Sequence, residues 1–201
     1  MFRRLAVAVT ALAIMLASQV EAQATRQGIT EVQTQPPPSR RGAWGSFGFG
    51  GGMEQVDLSD DVLGYSDPLW RPSFNFRVGG TVKQVLRLGV ETFVWTNVNS
   101  GATETLLSVM PIIQIYPVRC AGINLRGGVG YAWSGVSTFG GLVVDNGFGT
   151  MVGIGWEFPV SRKFFITPGV DWYQQWYGGG FQPSYTERII NISLSLGLQG
   201  G

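Results

Sequence analysis

The sequence predicts an all-β protein, an eight-stranded antiparallel up-and-down transmembrane β-barrel. Three observations lead there. First, strand-like runs carry one greasy face and one polar or small face. The run Ile190-Asn191-Ile192-Ser193-Leu194-Ser195-Leu196-Gly197-Leu198 alternates at period two, as a two-faced β-strand does. Second, the N-terminus reads as a secretory signal. Third, no later stretch is long and apolar enough for a membrane helix, so a membrane protein of this composition needs a closed barrel.

The signal has the usual parts. Met1-Phe2-Arg3-Arg4 is positive, and Leu5 to Ala17 is an apolar run of 13 residues, short of the ~20 a spanning helix needs. Small residues follow, and both Val20-Glu21-Ala22 and Ala22-Gln23-Ala24 fit a cleavage site. Residues 1–22 are therefore assigned to a signal peptide. No cysteine follows the apolar run, which disfavours a lipid anchor. Residues 23–42 carry Gln, Thr, Ser, Arg and Pro36-Pro37-Pro38. Little there suits a core, so a disordered Pro-rich linker is predicted. The barrel is placed at 43–201.

Eight strands are predicted in order: 43–53, 71–82, 86–97, 105–117, 123–134, 147–158, 164–176 and 187–199. Each approaches the length a tilted strand needs to cross a bilayer. The intervening stretches alternate long and short. Long loops are expected outside the cell and short turns in the periplasm. An even strand number puts both termini on the periplasmic side. Cys120 falls in a short turn and is the only cysteine. No internal disulfide is possible, and an inert thiol is expected.

Composition narrows the function classes. The net charge is +1, with only 13% charged residues, low against the usual ~25%. No basic stripe supports nucleic-acid binding. The chain has no histidine, which removes Ser-His-Asp chemistry and histidine acid–base catalysis. No enzyme activity and no cofactor are expected. Asp57, Asp60, Asp61 and Asp67 sit in the first loop, but their spacing does not match a calcium loop. A solvated acidic loop is expected there, and no metal site.

Alternation assigns inside and outside. Ile123, Leu125, Val129, Tyr131 and Trp133 share one face of the fifth strand, opposite Asn124, Arg126, Gly128, Gly130 and Ala132. In the sixth, Phe148, Val152, Ile154, Trp156 and Phe158 oppose Gly149, Gly153, Gly155 and Glu157. In the seventh, Phe164, Ile166, Val170 and Trp172 oppose Thr167, Gly169, Asp171 and Tyr173. The apolar set should meet lipid; a soluble barrel would reverse the arrangement. Trp133 and Trp172 are expected at the outer rim, Trp156 and Tyr116 at the inner rim, as interfacial girdles.

The other face fills the lumen. It carries Arg77, Arg87, Glu91, Arg126, Glu157 and Asp171. Isolated charges there are costly, so a paired network is expected, with Arg77 and Arg126 meeting Glu91, Glu157 or Asp171. A structural polar plug is favoured over a gate, because small barrels fill with their own side chains.

Strand count, loop alternation and the runs Gly128-Val129-Gly130-Tyr131 and Gly153-Ile154-Gly155-Trp156 resemble the small outer-membrane β-barrel proteins, the OmpA-like and OmpX-like eight-stranded family. The resemblance spans about 43–199. It implies the bacterial outer membrane as location, membrane lipid and the barrel-assembly machinery as partners, and a monomer. The chain ends in Gly200-Gly201 rather than in the aromatic residue common in that family. No peptidoglycan-binding domain is expected after Gln199, so that role is not implied. The expected role is structural, surface-interacting or envelope-stabilising, with extracellular ligands met through loops at 54–70 and 135–146. The alternatives are a narrow pore for small solutes and a soluble lipocalin-like barrel carrying an apolar ligand.

Overall fold

In a computed structural model, the residues described are 40–58, 64–99, 101–118, 121–179 and 182–200, without the side chains of 179 and 182–184. The signal segment, most of the linker and Cys120 lie outside them. The chain forms β1 (Ala43–Leu58), β2 (Leu69–Lys83), β3 (Leu86–Asn99), β4 (Ala102–Ile115), β5 (Ile123–Thr138), β6 (Gly141–Trp156), the two-residue β7 (Phe158–Pro159), β8 (Phe164–Gly179) and β9 (Gln182–Gln199).

The eight long strands pair antiparallel with their neighbours in sequence, and β9 returns to β1. Pairing Trp44 with Gln199 and Leu58 with Tyr185 closes the cylinder, so no long strand is left with an open edge. Register sets the tilt. Crossing paired residues from Phe47 through Phe76, Thr92, Val109, Tyr131, Phe148, Trp176 and Thr186 returns to Asp57. The path gains 57 − 47 = 10 residues along β1, the stagger a tilted barrel requires. Pro111 lacks an N–H, and the β4–β5 pairing skips from Val109 to Ile112 at that point.

The outer wall is apolar. Phe47, Phe49, Phe76, Val90, Ile113, Leu125, Val152, Ile154, Ile192, Leu194 and Leu196 are exposed, while Arg77, Glu91, Arg126, Glu157 and Asp171 are buried. Water would make such a wall unstable, and lipid makes it the favourable arrangement. The lipocalin-like alternative fails on this point. Trp70, Tyr131, Phe148 and Trp176 ring the upper wall, and Trp156, Phe158 and Phe164 ring the lower one. One girdle expectation needs correction. Tyr116 is fully buried in the lumen, because it keeps the inward parity of Met110, Ile112 and Gln114. Trp172 faces outward and pairs with Ile190, on the same register line as Met53 and Trp70.

The strands are longer than predicted, at 14–18 residues for the eight that close the wall. They continue pairing beyond the apolar belt on the side opposite the termini. The predicted loop at 135–146 is a paired hairpin: beyond Trp133 and Asn146 the ladder runs on to Thr138 and Gly141. The region 98–104 is also a tight hairpin, with Gly101 at φ 92° supplying the left-handed turn. Glu54–Leu58 extends β1 instead of opening the first loop. Polar residues masked these strands from the period-two pattern, because outside the bilayer neither face is uniformly greasy.

On the side of the termini the connections are short. Lys83 pairs with Leu86 across Gln84-Val85, with a bulge between Thr81 and Lys83. Gly122, at φ 68°, leads the chain into β5.

Candidate functional site

The lumen is filled in layers that follow the register. At the periplasmic end, Glu157 follows β6 directly and is 5% exposed. Its Oε2 accepts hydrogen bonds from Arg87 Nη1 at 2.7 Å and from the Tyr116 hydroxyl at 2.8 Å. Its Oε1 accepts from Arg40 Nε at 3.2 Å. Arg40 also stacks its guanidinium 3.7 Å from the Tyr116 ring centre. Burial, with Glu157 beside it, pushes the Tyr116 phenol above its usual range and keeps it a donor. Arg87 further donates to Gln199 Oε1 at 2.6 Å, tying β3 to the last strand. Arg40 was assigned to the linker; instead it is buried and belongs to this layer.

One layer up, Arg77 and Arg126 converge on Asp171. Arg77 Nη2 lies 2.9 Å from Asp171 Oδ2, and its Nε donates to Glu91 Oε2. Arg126 reaches Asp171 Oδ1 through Nη2 at 2.8 Å and Nε at 3.0 Å. Its Nη1 donates to Asn124 Oδ1 at 3.1 Å. Tyr173 donates to Glu91 Oε1 at 2.6 Å. Glycines make the room: a methyl group at Gly153 would fall on the Asp171 carboxylate, and one at Gly155 or Gly169 would meet the Arg126 guanidinium. A cavity among these groups has a volume of about 10 Å³ and touches Arg77, Arg87 and Arg126, at the limit of what one water needs.

Above the ions sits an apolar plug. Phe93, Trp95, Leu106, Met110, Met151, Tyr173 and Ile189 pack together, each 1% exposed or less. Phe93 and Tyr173 stack at 4.0 Å, and the Trp95 indole donates to the Gly52 carbonyl at 3.0 Å. Above the plug, Glu54, Glu104, Asp145 and Glu187 line the extracellular mouth with Tyr177 and Tyr185.

The structure thus brings the six residues singled out from sequence into two clusters: Arg77, Glu91, Arg126 and Asp171 in one, Arg87 and Glu157 in the other. Sequence reasoning missed Arg40, Tyr116 and Gln199 as members, and it missed the apolar plug. Parity held the signal for the plug, since Phe93 and Trp95 alternate in step with Glu91. Asp57 and Asp67 sit near the first loop, while Asp60 and Asp61 lie outside the described residues. Among the described residues no group of three acidic, cysteine or histidine side chains is placed to hold a metal ion.

A family model for the outer membrane protein β-barrel domain matches residues 9–197. Curated protein sequences give no match. Among solved structures, Neisserial surface protein A is similar at 15% identity and a TM-score of 0.57, covering 79% of this chain and 99% of its own. Ail, the attachment invasion locus protein of Yersinia pestis, is similar at 11% identity and a TM-score of 0.46, covering 77% of this chain and 99% of its own. The N-terminal β-barrel domain of Pseudomonas aeruginosa OprF is 11% identical with a TM-score of 0.45, covering 80% and 99%. At 15% identity the likeness to Neisserial surface protein A speaks for the fold alone.

Proposed function

The chain belongs to the outer membrane protein β-barrel domain family, and from that premise we propose that it acts as a sealed wall protein of the bacterial outer membrane. Its role in this reading is structural, envelope-stabilising and surface-interacting, carried out as a monomer inserted by the barrel-assembly machinery. Transport and catalysis form no part of it. One observation carries the reading: the lumen is blocked twice, by the paired ions around Asp171 and by the apolar plug at Trp95. Water crossing the barrel would have to pass the buried side chains of both layers. The extracellular hairpins then offer the contact surface, with Phe139 fully exposed at the tip between β5 and β6.

Planar-bilayer recordings test this. The wild-type barrel should give no resolvable conductance, and recovery in the outer-membrane fraction with heat-modifiable gel mobility should report insertion. Steady channel openings from the wild type would overturn the sealed reading.

A second reading has one observation in its favour. The Arg77 guanidinium serves two acceptors, Glu91 and Asp171, so it can turn wholly to Glu91 while Asp171 stays paired with Arg126. A narrow pore gated by that exchange requires conductance in an Arg126→Ala variant. Folded Arg126→Ala barrels that stay silent remove it.

A further inference from the structure

Four carboxyl groups and one guanidinium face the lumen at its extracellular mouth. Glu54 comes from β1, Glu104 from β4, Asp145 from β6 and Glu187 from β9, all beside or above the register line Trp70–Met53–Ile190 that marks the upper girdle. From the other strands come Arg71, Asn97, Ser134 and Tyr177. Arg71 donates to none of the four carboxyls: its Nε donates to Asn97 Oδ1 at 2.6 Å and its Nη1 to the Trp70 carbonyl at 2.9 Å. Neutral groups serve Glu104 and Asp145, Asn97 Nδ2 donating to Glu104 Oε2 at 3.2 Å and the Tyr185 hydroxyl to Asp145 Oδ2 at 3.3 Å. Arg188 points away, to Gln55 Oε1 at 2.8 Å. The mouth is therefore short of positive charge, unlike the layers beneath it.

Glu187 marks where that charge belongs. It is 2% exposed, and its Oε2 has no hydrogen-bond partner among the described residues. The Oε1 of Glu54, 4% exposed, is in the same condition. A buried carboxyl oxygen left without a partner is costly unless a cation or proton completes it. Glu187, Glu104 and Asp145 open onto a cavity of about 350 Å³. Its remaining walls include Val56, Leu58, Val136 and Val143, with the Tyr185 ring, which stacks on Tyr177 at 4.9 Å.

We propose that this mouth binds a small organic cation, an amine or guanidinium on an aliphatic stem. The charged head meets Glu187 with Glu104 or Asp145, the stem lies along the valines and Leu58, and Tyr185 offers its ring face. Spread-out carboxyls with greasy walls suit such a ligand better than a bare metal ion, which demands several oxygens around one point; among the described residues no such grouping exists. The same chemistry is presented by a free polyamine and by a basic side chain of a peptide. The site lies above the plug, so it stands or falls separately from the question of conductance.

The test is calorimetric titration of the full-length barrel in lipid nanodiscs. Agmatine, cadaverine and the tripeptide Lys-Lys-Lys are the probes, and calcium chloride is the comparison. Saturable binding of agmatine or cadaverine is expected, weakened about tenfold in Glu187→Gln. Binding by the tripeptide alone assigns the cation to a peptide; binding by the free amines assigns it to a soluble ligand. The absence of saturation by all three probes overturns the proposal, as does unchanged affinity in Glu187→Gln. Calcium binding with no amine binding overturns it too. Glu104→Gln serves as the second variant if Glu187→Gln loses heat-modifiable mobility.

Discussion

The two ends of the lumen handle charge in opposite ways. Below the plug, Arg40, Arg77, Arg87 and Arg126 face Glu91, Glu157 and Asp171, and all seven charges enter ion pairs of 3.2 Å or shorter. Above it, four carboxyls share the mouth with one arginine that donates to Asn97 rather than to any of them. Glu54 and Glu187 are as deeply buried as the ions below, so exposure alone does not make the difference. A matched network holds strands in register and has no vacancy. An unmatched one carries a standing electrostatic cost that a ligand removes. Removing charge should therefore weaken the lower end and relieve the upper one.

The largest effect is expected at Asp171. Replacing it by Asn leaves Arg126 without its counter-charge and takes one of two acceptors from Arg77. Stranding a buried guanidinium costs about 3–5 kcal/mol. The urea midpoint of tryptophan fluorescence and of folded-band mobility should both fall. A midpoint equal to wild type would mean that water already solvates the layer. Gly153→Ala attacks the same carboxylate by sterics, since the added methyl meets Asp171 directly. Overpacking of this kind costs about 1–3 kcal/mol, and the loss should be largely absent on an Asp171→Ala background, where the clashing group is gone.

Glu157→Gln takes the counter-charge from both Arg87 and Arg40, so its cost should approach the same range of about 3–5 kcal/mol. It has a separate readout. Arg40 is held at the barrel by Glu157 and the Tyr116 ring. Weakening that hold should speed tryptic cleavage at Arg40 while the barrel band persists. Cleavage at the wild-type rate would show that the Tyr116 stack alone suffices.

Much of this architecture was legible because a bilayer enforces a strict rule. Along β5, β6 and β8 every second residue meets lipid, and Leu125, Ile154 and Val170 keep the period while Arg126, Gly155 and Asp171 face in. Inward charges such as Arg77 and Glu91 followed from parity, and their pairing followed from the cost of leaving them alone. Where the bilayer ends, the rule ends too. The hairpin of β5 and β6 beyond Trp133 alternates Ser134, Val136 and Thr138 with no greasy face, and it looked like a loop. Arg40 escaped because it precedes the first strand and reaches the lumen only through folding back on Tyr116. The plug escaped for a different reason: Phe93 and Trp95 are apolar on the polar face, and a pattern read for contrast passes over them. The acidic mouth needs four strands to assemble, with partners as far apart in sequence as Glu54 and Glu187.

The smallest expected effect carries the opposite sign. Glu54 is buried at the mouth near Glu104 and Glu187, with one carboxyl oxygen unpartnered among the described residues. Gln at this position keeps the shape and removes one of the crowded charges. Like charges in such contact destabilise by a few tenths to about 1 kcal/mol, so Glu54→Gln should hold or raise the urea midpoint slightly. The rise should grow as pH increases, because more of the neighbouring carboxyls then carry charge in the wild type. It should shrink in saturating agmatine, which supplies the wild type with the missing cation. A fall in stability comparable to that of Asp171→Asn would instead show that Glu54 is a paired member of a matched network. The contrast between the two ends of the lumen would then be lost.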